Sequence, residues 1–115
     1  MDITIYHNPR CSTSRNALAA IQDAGHAPRV VEYLATPPTR EELLGLLAAS
    51  GLSPREAIRS KESLYAELGL DAPGTTDAQL VDAMLAHPVL MNRPFVVTAK
   101  GVRLCRPLER LHEIL

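Results

Sequence analysis

Apolar residues change their spacing near the N-terminus, and a cysteine stands where the change occurs. Ile3, Ile5 and Tyr6 mark a short β-type segment, whereas Ala17, Leu18, Ile21 and Ala24 recur at helical spacing, with Gly25 placed to stop the helix. Between them lies the loop His7-Asn8-Pro9-Arg10, which ends in Cys11 and is followed by Ser12-Thr13-Ser14. Arg29 to Tyr33 is rich in Val and reads as a second strand. The order is therefore β-α-β, with a crossover short enough for a parallel pair packed under one helix.

A thiol at such a strand-to-helix turn lies near a helix N-terminus, where unpaired N–H groups and the macrodipole favour negative charge. That setting lowers a thiol's pKa. The competing reading is a small buried residue beneath the helix, which the three hydroxyl residues after Cys11 weaken. A pKa shift alone gains little. A thiol of pKa about 8.5 is ~3% ionised at pH 7 and one of pKa about 6.5 is ~75% ionised, yet intrinsic nucleophilicity falls with pKa, leaving a gain of a few-fold. The larger benefits are holding an anion beside the sulfur and making that sulfur a better leaving group.

Beyond the break Thr36-Pro37-Pro38, the segment Thr39-Arg40-Glu41-Glu42 has capping-box spacing and opens a helix carrying Leu43, Leu44, Leu46 and Leu47, ended by Gly51. Ser53-Pro54-Arg55-Glu56 repeats the cap, with Pro54 at the first helical position. Glu62 to Leu68 and the segment after Thr76-Asp77-Ala78-Gln79 read as two further helices. Strand patterns return at Phe95 to Thr98 and Val102 to Cys105, joined by a hairpin turn at Lys100-Gly101, and Pro107 to Leu115 is expected to be helical. The order β-α-β, helices, β-β-α is an α/β, thioredoxin-like plan with a mixed sheet: one domain over residues 1–115, with a helical insert over about residues 39–87. A plan of this kind does not by itself fix function.

The net charge is −1, which gives no basic field for nucleic acid. The longest apolar stretch, Leu43 to Ala49, is too short to span a bilayer. The N-terminus enters a strand pattern at once, without a basic and then apolar leader, and only Cys11 and Cys105 are cysteines, so the expectation is a reduced, cytoplasmic protein. His26, His87 and His112 show no metal spacing, and no phosphate loop is present, so no metal and no tightly bound cofactor is expected.

Ten of the twelve basic residues are arginines. Arg59 falls at the end of a short helical pattern, Arg93 directly precedes Pro94, and Arg106 directly precedes Pro107. An X-Pro residue is held extended, which fixes the direction of its side chain. Spacing alone leaves open whether these three bind an oxyanion or are solvated surface groups. His7 is open in the same way, between a protonated partner for the thiolate and a histidine satisfied by local hydrogen bonds. Cys105 reads as a spectator thiol.

The chain resembles the glutaredoxin-coupled arsenate reductase family nearly end to end. The matching tracts are Ile3-Thr4-Ile5-Tyr6-His7-Asn8-Pro9, Cys11 with Thr13-Ser14-Arg15-Asn16, Tyr33-Leu34, Pro37-Pro38, Arg59, His87-Pro88 through Asn92-Arg93-Pro94, and Leu104-Cys105-Arg106-Pro107. The resemblance implies that Cys11 is the nucleophile, that Arg59, Arg93 and Arg106 bind the oxyanion, and that His7 and Ser14 help the thiolate form. It further implies a thiol-arsenate adduct on Cys11, glutathione as co-substrate, and glutaredoxin as the partner that resolves a mixed disulfide. Pro94 directly precedes the third strand pattern, where thioredoxin-type folds place a cis proline beside the active-site loop, and the sequence leaves the isomer of the Arg93-Pro94 bond open. Arg10 and Ser12 stand where some members carry small residues such as Ala and Gly.

Three other readings compete for the same residues. A phosphatase-type loop needs C-x5-R, but the sixth residue after Cys11 is Ala17 and Arg15 stands at C-x3-R, which excludes it. A redox-linked transcription regulator of the same fold would typically carry C-x-x-C where this chain has Cys11-x-x-Ser14. A glutathione-dependent thiol oxidoreductase acting on another substrate shares Cys11, so only the substrate distinguishes it.

Overall fold

A computed structural model describes every residue from Met1 to Leu115. The chain divides into two compact units, one formed by Met1–Thr36 with Arg93–Leu115 and the other by Pro37–Asn92.

The first unit holds β1 (Thr4–Tyr6), α1 (Ser12–Asp23) and β2 (Arg29–Val31), then β3 (Phe95–Thr98) and β4 (Gly101–Leu104), and a terminal 3-10 helix, Leu108–Glu113. The sheet runs in the order β2-β1-β3-β4. β1 is parallel to β2 and antiparallel to β3, and β3 and β4 form an antiparallel hairpin. Ile3, Ile5 and Val96 from the sheet bury against Ala17 and Ile21 of α1 and against Leu111 and Ile114 near the C-terminus. Transfer of these apolar side chains from water holds the layers together.

Three features of this unit differ from the sequence reading, each for a local reason. The second strand stops at Val31 rather than Tyr33, because Ala35 and Thr36 N–H groups turn back onto the Glu32 carbonyl. The hairpin turn lies one residue earlier than expected, at Ala99-Lys100. Thr98 Oγ1 accepts the Lys100 N–H at 3.0 Å and donates to the Ile114 carbonyl at 2.7 Å, and Gly101 opens β4. Gly101 has φ +144, and a Cβ there would lie 3.4 Å from Arg103 Nη1 and 3.6 Å from Ile114 Cγ2, so glycine suits the site. The terminal helix is 3-10 rather than α. Its apolar residues Leu108, Leu111 and Ile114 are spaced by three, and side chains three apart eclipse on a 3-10 helix, so the tighter coil presents all three to the core.

The second unit holds α2 (Arg40–Ser50), α3 (Pro54–Ala57), α4 (Ser63–Glu67), α5 (Asp77–Ala86) and a short 3-10 turn, Pro88–Leu90. Reciprocal capping boxes close the N-termini of α2, α3 and α5, through Thr39 with Glu42, Ser53 with Glu56, and Thr76 with Gln79. α5 packs on α2, α3 and the 3-10 turn, and Leu80 and Met84 on it are buried. The Arg55 guanidinium donates to Tyr65 Oη at 2.7 Å and to the Leu70 carbonyl at 2.9 Å, which ties α3 to α4 and to the irregular segment after it. No helix is long and apolar enough to cross a membrane.

Candidate active site around Cys11

Strand register brings the site residues of the first unit together. Tyr6, the last residue of β1, pairs with Phe95, the first of β3, and Phe95 pairs with Leu104, the last of β4. Residues just after β1, just before β3 and just after β4 therefore meet at one end of the sheet. Those are the loop from His7 to Cys11, the Arg93-Pro94 pair, and Cys105-Arg106. The Cys105 N–H donates to the Pro94 carbonyl at 2.9 Å, which carries the pairing one step past β4 and delivers Arg106 beside Arg93. The peptide bonds before Pro94 and Pro107 are both cis.

The loop into Cys11 is a β-turn closed by the Cys11 N–H on the Asn8 carbonyl at 3.0 Å. Pro9 occupies its second position, and the Asn8 side chain accepts the Arg10 N–H at 2.9 Å, an Asx-type brace within the same turn. Arg15 Nη1 donates to the Pro9 carbonyl at 2.9 Å, fastening the turn to the first coil of α1. Asn8 was missed as a supporting residue at the sequence level. The Asn-Pro dipeptide, a turn initiator, was the available signal.

Cys11 is the N-cap residue of α1, partly exposed and in extended conformation. It closes no capping bond of full geometry, but the Ser14 N–H acts on its sulfur. Arg106 Nη1 lies 3.6 Å from Sγ, and Arg93 directs a side-chain N–H at the same atom. Desolvation pushes the Cys11 thiol up, but the Ser14 N–H, the hydrogen bonds from Arg93 and Arg106 and the charge of Arg93 together outweigh it and hold the pKa down at about 7. Half of the population is then thiolate at neutral pH. Against an ordinary thiol at 9.0 that is ~50-fold more nucleophile, reduced to roughly fivefold once the lower intrinsic reactivity is counted. The arginines thus do more by attracting an anion to the sulfur than by ionising it.

His7 and Ser14 are buried together behind the turn. His7 Nδ1 and Ser14 Oγ are 2.6 Å apart, and Ser14 Oγ accepts the Asn8 N–H at 3.0 Å. Burial pulls the His7 pKa down, opposed by Glu32 and aided by Arg15, so the imidazole is neutral near pH 7. A neutral ring whose Nδ1 accepts the Ser14 hydroxyl satisfies every group in this triangle. Of the two readings of His7 left open by the sequence, the structure fits the locally hydrogen-bonded one. Its hydrogen-bond partner is Ser14, which carries the N–H that acts on the sulfur.

Cys105 is fully buried, with Sγ 3.8 Å from the Arg103 carbonyl, and burial, aided by Glu113, pushes its thiol up to about 12. It is chemically quiet. Arg59 belongs to the second unit. It lies two residues past α3, donates its N–H to the Leu90 carbonyl at 2.7 Å and holds a loose ion pair with Glu62 at 3.8 Å. No group of three or more His, Cys, Asp or Glu side chains is arranged to hold a metal ion.

Comparison with known proteins bears on the whole chain. A family model described as the ArsC family matches residues 6–114. An arsenate reductase of Rhizobium meliloti (strain 1021) is 58% identical over 115 residues, which cover 100% of this chain and 82% of that protein. An arsenate reductase of Escherichia coli (strain K12) is 54% identical over 114 residues, covering 99% of this chain and 81% of that protein. A solved structure of an arsenate reductase from Vibrio cholerae matches with a TM-score of 0.95 at 46% identity, covering 100% of this chain and 98% of that one. The α/β fold with its mixed four-stranded sheet is the thioredoxin-like one expected from the order of elements.

Proposed function

The chain belongs to the ArsC family, and we propose that it reduces arsenate to arsenite at Cys11, with glutathione as co-substrate and glutaredoxin as the partner that regenerates the thiol. One observation carries the reading. A thiol held down at about 7 faces two guanidinium groups, from Arg93 and Arg106, in a partly exposed position at a helix N-terminus. A thiolate on its own repels an oxyanion; two arginines beside it reverse that repulsion.

The steps follow from those groups. Arg93 and Arg106 bind the arsenate oxygens and draw arsenic to Sγ. The thiolate forms a sulfur–arsenic bond, and one arsenic–oxygen bond breaks, its oxygen leaving as hydroxide or water. The guanidinium groups neutralise the charge on the remaining oxygens. Glutathione then adds. As a sulfur–sulfur bond forms with Cys11, the sulfur–arsenic bond breaks and its electron pair stays on arsenic, which becomes trivalent and leaves as arsenite. Glutaredoxin opens the resulting mixed disulfide. A sulfur with a low pKa is also a good leaving group, so the same contacts serve this last exchange. His7, through Ser14, positions the N–H that steadies the sulfur. Arg59 joins the oxyanion-binding set on the resemblance alone.

A redox-linked regulator is disfavoured by two features. Ser14 stands where a C-x-x-C switch would place its second thiol, and Cys105 is buried and unreactive. The deciding experiment is NADPH consumption in a coupled assay containing arsenate, glutathione, glutaredoxin and glutathione reductase. Turnover that disappears in Cys11→Ser is expected. No consumption above blank in the wild type removes the assignment, and turnover only with thioredoxin in place of glutaredoxin removes the coupling.

A further inference from the structure

We propose that Arg10 and Arg15 form a second anion subsite on the outer face of the Cys11 turn, which takes the carboxylates of a small peptidyl thiol or its disulfide. The inference rests on the reading of Cys11 as the reactive thiol and extends it from the oxyanion to the thiol co-substrate.

The geometry singles out this pair. Arg10 is the third residue of the turn that ends in Cys11; its backbone N–H is fixed by the Asn8 side chain, and its own side chain is exposed. Arg15 is exposed too, but its guanidinium is anchored, since Nη1 spends one hydrogen on the Pro9 carbonyl at 2.9 Å. That bond sets the Arg15 cation against the Pro9–Arg10 peptide. Two positive groups therefore meet the outer side of the same turn, Arg10 from within it and Arg15 reaching back to it from α1. Neither is neutralised within the fold: the ion pairs are Arg40 with Asp82, Arg59 with Glu62 and Arg103 with Glu113. The first turn of α1, where a carboxylate is favoured, also carries no acidic residue.

These two arginines have a different task from Arg93 and Arg106. The guanidinium groups that contact the sulfur are the latter pair. Arg10 and Arg15 lie on the solvent side of the turn, where a positive charge acts on what approaches from outside. The ligand must be anionic and must bring its own sulfur within reach of Cys11. A peptidyl thiol such as glutathione meets both demands, with a carboxylate at each end and the thiol between. A guanidinium presents a planar fork to a carboxylate, and an anchored one loses less freedom on binding than a free lysine.

The test uses thiol–disulfide exchange, which needs no arsenate. The Cys11 thiolate attacks one sulfur of a disulfide, the S–S bond breaks, one half leaves as thiolate, and Cys11 keeps the other half as a mixed disulfide. Rates with oxidised glutathione and with the neutral hydroxyethyl disulfide are measured at low ionic strength, and their ratio is the readout. The ratio is expected to fall roughly twofold to fivefold in Arg10→Ala and in Arg15→Gln, and further in Arg10→Glu. In the wild type it falls as salt is added. Arg110→Ala, an exposed arginine elsewhere on the same unit, serves as control and leaves the ratio unchanged.

A ratio unaltered in Arg10→Ala, Arg10→Glu and Arg15→Gln overturns the subsite, as does one that falls only when Arg93 is removed. A slower reaction of Arg10→Ala with glutaredoxin alone, at an unaltered ratio, assigns the surface to a protein and also overturns it. Arsenate turnover separates the two readings: turnover with an unaltered ratio sinks the subsite only, and an altered ratio without turnover sinks the arsenate assignment only. A Cys11 inert to both disulfides sinks both.

Discussion

Arg106 faces Cys11 across a sequence separation of 95 residues, with Nη1 3.6 Å from the sulfur. The same Nη1 lies 3.2 Å from the Arg93 carbonyl oxygen, so the backbone of the second arginine steadies the guanidinium of the first. One contact sets the charge and the other sets its direction. Alkylation of Cys11 by iodoacetamide is therefore expected to rise with pH around a midpoint of about 7. Arg106→Ala is expected to raise that midpoint by roughly one unit, since it removes an opposite charge next to the sulfur. Stability follows the same titration. The folded value lies below the ordinary 9.0, so the ionised thiol contributes stability in full above pH 9, and that contribution is lost as pH falls through about 7. A wild-type midpoint near 9, or one unmoved in Arg106→Ala, contradicts this account.

Cys105 gives the opposite prediction. It is fully buried, with its thiol pushed up to about 12 by burial and Glu113. A chromogenic disulfide reagent is expected to titrate one thiol in the native protein and both after denaturation. Cys105→Ala keeps arsenate turnover close to wild type, at a stability cost of about 1 kcal/mol for the small space left behind. A large loss of turnover with the fold intact would make Cys105 the resolving thiol.

How far the sequence discloses these features depends on how local they are. The capping boxes at Thr39, Ser53 and Thr76 are legible because each links residues only three apart. The start of α1 at Cys11 is legible because the loop and the apolar stripe both point to it. The meeting of Arg93 and Arg106 with the sulfur is not. It depends on the antiparallel register of β1, β3 and β4, which no short window contains. In the sequence only the family resemblance, not spacing, singles out these two arginines. The 3-10 form of the last helix was also hidden, since Leu108, Leu111 and Ile114 fit either kind of helix until packing selects the one that turns all three toward the core.

The triangle of His7, Ser14 and Asn8 predicts what Ser14→Ala does. Ser14 Oγ is the hydrogen-bond partner of His7 Nδ1 at 2.6 Å and of the Asn8 N–H at 3.0 Å, and Ser14 is fully buried. Its removal strands two buried polar groups, which costs about 1–3 kcal/mol in a urea unfolding measurement. It also frees the turn that places Cys11, so alkylation at a fixed pH slows even though Arg93 and Arg106 are untouched. A stability loss without a change in alkylation rate would reduce the triangle to a packing feature.

Arg59 tests the part of the reading that rests on resemblance. In the second unit its main chain, not its side chain, carries the structural contacts: the N–H bonds to the Leu90 carbonyl, and the Ile58–Met91 bridge and the Asn92 N–H on the Ala57 carbonyl continue the pairing on its N-terminal side. The only ion pair of its side chain is with Glu62, partly exposed and as long as 3.8 Å, a kind of pair that contributes roughly 0–1 kcal/mol. Arg59→Ala is therefore expected to unfold within about 1 kcal/mol of the wild type. A role in holding the oxyanion would appear as a rise in KM for arsenate with the KM for glutathione unchanged, and Arg59→Lys would recover only part of it, because an ammonium lacks the planar fork. If Arg59→Ala matches the wild type in both constants, the oxyanion site is built from Arg93 and Arg106 without it.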